Sequence, residues 1–171
     1  VYSLVDHTDY GEPADGQPPQ TEINIPDVSE DTQHVYVSES NLSEDGSQVE
    51  LTISYNAADT TLTGLGLHVH YDSSVLSLAN TSEVFQKDLF IQPNNNLEGD
   101  VVDGTEATDS YVMMSWSSLF GAWPDAGPVD LVKLTFDVVP GAGGPTPIDF
   151  SVSSNAAGNE FDGQSQIIEL P

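Results

Sequence analysis

Residues 131–138 read Leu131-Val132-Lys133-Leu134-Thr135-Phe136-Asp137-Val138. Val132, Leu134, Phe136 and Val138 alternate with Lys133, Thr135 and Asp137. A period of two sets one apolar row on one face of a pleated strand and a polar row on the other. The alternation recurs on both sides. Val49, Leu51, Ile53 and Tyr55 are interleaved with Glu50, Thr52 and Ser54. Leu65, Leu67, Val69 and Tyr71 are interleaved with Gly64, Gly66, His68 and His70, and Ile148, Phe150 and Val152 with Asp149, Ser151 and Ser153. Further strands are expected at 34–40, 75–79, 111–117 and 166–170. Turn-forming strings part these runs: Glu44-Asp45-Gly46, Asn94-Asn95-Asn96, Gly141-Ala142-Gly143-Gly144-Pro145 and Asp162-Gly163. No segment keeps a helical period over a convincing length; residues 82–89 have room for a turn or two. Eight or nine short strands, each with one apolar face, need a second sheet to cover that face. The expected fold is therefore all-β, a two-sheet β-sandwich with few or no helices. No internal repeat is visible, which disfavours a solenoid or propeller.

The chain has 171 residues and a mass of 18.3 kDa, the size of one domain with or without a tail. Residues 1–30 differ from the rest: Asp6, Asp9, Glu12 and Asp15 are spaced by glycines and prolines, the composition of a linker or a calcium loop. The expected division is an acidic N-terminal extension, 1–30, and a sandwich, 31–171.

Charge narrows the function. With 28 Asp and Glu against 2 Lys and no Arg, the formal net charge is −26. Such a surface lacks the cations that neutralise phosphates, so nucleic acid is not expected as a partner, nor is docking on anionic membranes. No apolar run reaches the ~18 residues of a membrane span, so membrane insertion is not expected, and no signal peptide opens the sequence. Without cysteine there is neither disulfide nor thiolate metal site. Two lysines leave most carboxylates repelling one another, a strain relieved by high ionic strength or by bound hard cations such as Ca2+.

Three strings together resemble cohesin domains: Tyr71-Asp72-Ser73-Ser74-Val75-Leu76, the run 131–138, and Thr146-Pro147-Ile148-Asp149-Phe150 continuing to Asp162-Gly163. The resemblance covers about residues 33–170. It implies a jelly-roll sandwich that binds proteins (dockerins) or, in related modules, carbohydrates. Residues 1–30 and 98–110 have no counterpart in that pattern. The acidic, cysteine-free composition also resembles ligand-binding modules of calcium-dependent RTX-type bacterial adhesins, in which a sandwich of similar size binds short peptides. That second resemblance implies a non-catalytic, calcium-dependent adhesion module. It would be extracellular on a bacterial cell surface, a monomeric part of a longer chain, and would bind a peptide or protein of a host or neighbouring cell. A glycan ligand, a protein-docking role and a spacer role are the alternatives.

The densest group of oxygen ligands is Glu98, Asp100, Asp103, Glu106 and Asp109, with Gly104 able to turn the backbone. Ca2+ takes six to eight oxygens from such loops; a solvated acidic loop is the rival reading. Ser117, Ser118, Phe120, Trp123 and Asp125 form the expected ligand-binding stretch, because stiff aromatic rings on a loop serve as binding anchors; a loop that folds its own hydrophobes over one end of the sandwich is the rival reading. Trp116 continues the alternation of Val112 and Met114 and is expected in the core. His68 and His70 share one side of a strand, a spacing that can chelate Zn2+, but with no further nitrogen nearby they read as polar residues on an outward sheet face. Carboxylate pairs are too abundant to mark a catalytic pair, and no nucleophile elbow or phosphate-cradling loop is present. No enzyme is expected.

Overall fold

Across the central strand pair, Phe136 stands opposite Val49 and Leu134 opposite Leu51, all four buried. In this computed structural model the described residues are 32–58, 64–92, 95–99, 101, 103–118, 127–156 and 158–171. They form eleven strands and no helix: β1 (Thr32–Leu42), β2 (Gln48–Asn56), β3 (Gly64–Tyr71), β4 (Leu76–Val84), β5 (Phe90–Ile91), β6 (Asn96–Leu97), β7 (Ser110–Ser117), β8 (Val129–Val138), β9 (Gly144–Ser154), β10 (Glu160–Gly163) and β11 (Gln166–Leu170). One sheet has the order β10-β1-β2-β8-β4. The other runs β11-β9-β3-β7-β5, with β6 beside β7. All pairs are antiparallel except β1–β10.

The alternation does what its period requires. The inward rows, among them Val35, Leu51, Ile53, Leu67, Val69, Met114 and Ile148, make one continuous core between the sheets. Trp116 is part of it and meets Tyr55 edge-to-face, with ring centroids 5.3 Å apart.

Two expectations change. Residues 82–89 are not helical: β4 runs on to Val84, and two register shifts against β8, at Leu78/Asn80 and Thr81/Glu83, blur its alternation. The strand count exceeds eight or nine because β5, β6 and β10 hold only two to four residues each, too few to show a period. In the 43–48 turn, Gly46 supplies a left-handed φ of +70°, and Asp45 accepts from Ser43 and Ser47, which holds its carboxyl at about 2.

The two outer faces differ in chemistry. On the first sheet, Glu50, Glu83, Asp130, Lys133 and Asp137 point outward among Thr52, Ser54 and Thr135. On the second sheet the outward rows are Phe90–Ser115–Gly66, Met113–His68–Ser151 and Tyr111–His70–Asp149. Among the residues of β3, β5, β7 and β9, Asp149 is the only Asp, Glu or Lys.

Candidate functional site

The outer face of the second sheet carries two adjoining features. The first is a shallow groove of about 420 Å³ bordered by Gly66, Asp88, Phe90, Met113, Ser117 and Ser153. Gly66 makes its floor: a Cβ there would lie 2.3 Å from the Ser153 Oγ. Phe90 projects from the short edge strand β5 with 58% of its surface exposed. Asp88 precedes it at a φ of +67°, a backbone region that Asp tolerates better than bulky residues.

The second feature is a part-buried polar chain that links His68 and His70 of β3 to Glu98, Thr108 and Asp103. His70, fully buried, places Nδ1 2.6 Å from Glu98 Oε1 and Nε2 2.7 Å from Ser151 Oγ. Ser151 Oγ lies 3.4 Å from His68 Nδ1. The Tyr111 ring packs against both imidazoles. Beyond Glu98, the Thr108 hydroxyl sits 3.1 Å from Glu98 Oε1 and 2.8 Å from Asp103 Oδ2, and Asp103 also accepts from the Thr105 amide. One donor atom each from His70, Glu98 and Asp103 lies within 4.8 Å of the other two. Burial, reinforced by neighbouring His70, lowers the His68 pKa below the usual imidazole value.

These positions sort the expected site residues. Glu98 and Asp103 come together. Glu106 is exposed and Asp109 lies elsewhere, accepting from the Ser73 amide and hydroxyl at 2.7 Å each. Burial works to raise the Asp109 carboxyl, but those bonds outweigh it and lower its pKa. Ser117 lines the groove and Ser118 is half-buried. Asp100, Phe120, Trp123, Asp125 and the segment 1–30 lie outside the described residues. His68 and His70 face out of the sandwich as expected, yet both are buried, with Tyr111 packed against both rings, Ser151 between them and Glu98 against His70. The third donor beside His70 is a carboxylate 28 positions away, a partnership that spacing along β3 does not reveal. Phe90, Met113, Thr108 and Ser151 carry no motif; the alternation of β7 and β9 alone puts Met113 and Ser151 on this face.

No protein-family model matches the chain, and no curated protein matches it. Solved structures do. The third cohesin of ScaC from Acetivibrio cellulolyticus, in complex with the ScaB dockerin, is similar with a TM-score of 0.54 at 12% identity, over 81% of this chain and 98% of that one. The fold is cohesin-like. The sixth cohesin of scaffoldin B from the same organism, in complex with a Cel5 dockerin, gives a TM-score of 0.53 at 11% identity, over 84% and 100%. The two-sheet β-sandwich expected from the strand pattern, of the jelly-roll type that the cohesin resemblance implied, is thus the fold of this chain, and among the described residues no helix is long and apolar enough to cross a membrane.

Proposed function

We propose that this cohesin-like domain is a non-catalytic protein-docking module that presents the outer face of β9-β3-β7-β5 to a protein partner. One observation carries the reading: on a chain of net charge −26, this face has a single carboxylate in its strands and an exposed Phe90 beside a groove. Uncharged, aromatic-anchored patches with polar rims are the composition of binding-surface centres. The two neighbouring cohesins, solved with dockerins, support a protein as the partner class. A peptide segment presented by such a protein fits the groove more readily than a whole folded face does. An extracellular, cell-surface setting agrees with the acidic, cysteine-free composition.

The test is biolayer interferometry of the intact chain against dockerin modules, short peptides and glycans. Binding to a protein or peptide that is lost in Met113→Glu and kept in Thr135→Glu, on the opposite face, is the expected outcome. A glycan ligand, or equal loss from both variants, rejects the docking face.

A further inference from the structure

We propose that His70, Glu98 and Asp103 form a site for a borderline divalent cation of the Zn2+ class, which ties Glu98 and Asp103 to the outer face of β3. The inference stands apart from the docking reading; it needs only the described cluster.

The donor set is the first argument. One fully buried imidazole and two carboxylates offer their ligand atoms within 4.8 Å of one another. Nitrogen with carboxylate oxygen suits Zn2+ and its neighbours, whereas Ca2+ takes six to eight oxygens. Tetrahedral Zn2+ with bonds of ~2.0–2.1 Å sets its ligand atoms ~3.3 Å apart. The Nδ1–Oε1 separation of 2.6 Å would therefore open slightly. Water completes four-coordination.

The proton arrangement is the second. With no cation bound, the Nδ1–H tautomer of His70 would donate to Glu98, since a carboxylate accepts. Its Nε2 then accepts from the Ser151 hydroxyl, whose oxygen accepts in turn from His68 Nδ1. A cation at Nδ1 reverses this chain with no net gain or loss of protons. The Nδ1 site gives up its proton while Nε2 acquires one and donates to Ser151, and the Ser151 hydroxyl turns to His68 Nδ1, whose own proton moves to Nε2. Ser151 thereby becomes the outer partner that orients a metal-bound imidazole. Electrostatics is the third argument: Glu98 and Asp103 both lean on the single Thr108 hydroxyl proton, and a divalent ion relieves the repulsion between them.

The test uses the intact chain, stripped with chelator and titrated with Zn2+ alone by calorimetry in 150 mM NaCl and 10 mM CaCl2, which saturates diffuse counter-ion binding. One equivalent should bind, and Glu98→Gln and His70→Gln should each weaken it at least tenfold, while exposed Glu106→Gln leaves it unchanged. Because His70 is buried and its variant risks misfolding, long-range 1H–15N spectra of the wild-type histidines provide a second readout. On adding Zn2+, His70 should pass from the Nδ1–H to the Nε2–H form. Zn2+ uptake that Ca2+ displaces, uptake equal in Glu98→Gln and Glu106→Gln, or an unchanged His70 tautomer overturns the proposal.

Discussion

The two outer faces are built on the same pleat and the same inward rows, yet they spend their outward positions differently. Across β2, β8 and β4 the outward residues are long, charged or hydroxylic. Lys133 lies 3.2 Å from Glu50, and that hydrogen bond, only partly offset by desolvation and helped by Glu39 and Glu83, raises its pKa. Across β9, β3 and β7 they are mostly glycine, serine, histidine and tyrosine, with Met113 and the lone carboxylate Asp149, and the imidazoles are buried. A charged outward row keeps a sheet face in water and discourages edge and face association. A row of small and aromatic residues leaves a surface whose desolvation costs little. The difference teaches where a partner can sit on so acidic a chain: where the strands themselves carry few carboxylates.

The sharpest break in the comparison runs between two aromatics of one groove. Trp116 lies beneath it, 5% exposed and packed on Tyr55; Phe90 stands above it. Trp116→Ala should cost about 3–5 kcal/mol in denaturant unfolding, the range for truncating a buried large aromatic. Phe90→Ala should cost within about 0.5 kcal/mol of stability and instead weaken partner binding by about 1–2 kcal/mol. Equal destabilisation by both would make Phe90 a structural lid.

This contrast also marks what was legible in the sequence. Period-two alternation in β2, β3, β8 and β9 carries the fold, because side-chain direction in a strand follows from residue parity alone. Trp116 was readable for the same reason, as the continuation of Val112 and Met114. Phe90 was not: β5 has two residues, and two residues have no period. The site was half legible. Carboxylate density pointed to the segment holding Glu98 and Asp103, but density does not say which oxygens converge. Asp109, the last carboxylate of the same run, turns instead to Ser73. His70 joins Glu98 through tertiary packing, which no local spacing encodes.

The next effect belongs to His68 and is read by pH. Burial lowers the His68 pKa from its ordinary 6.5, so below that value the unfolded chain binds a proton that the folded chain resists. Stability should then fall as pH drops through 6.5 toward the lower folded value, and be unaffected by this group above it. Thermal melts from pH 8 to pH 5 on wild type and His68→Gln measure the contribution; parallel curves would mean that His68 is protonated as easily in the fold as outside it. The opposite sheet carries His34 on β1, 2.9 Å from Asp162, so the difference between wild type and His68→Gln, not the wild-type curve alone, isolates the His68 step.

The smallest effect belongs to the most conspicuous ion pair. Lys133 and Glu50 are both partly exposed, at 22% and 34% of their side chains, and water screens such pairs so well that their net contribution is slight. Lys133→Met should therefore leave the melting temperature almost unchanged at physiological salt. At low salt the variant should be less stable than wild type, because Lys133 is one of only two cations in a chain of net charge −26 and sits among Glu39, Glu50 and Glu83. Added NaCl should close that gap as the Debye length shrinks from ~30 Å at 0.01 M to ~3 Å at 1 M. Thermal melts of both proteins across that salt range decide it. A gap that survives 1 M NaCl would locate the role of Lys133 in the packing of its methylene stem on β2 and β4 rather than in its charge, and the first sheet's outer face would then owe less to electrostatics than its composition implies.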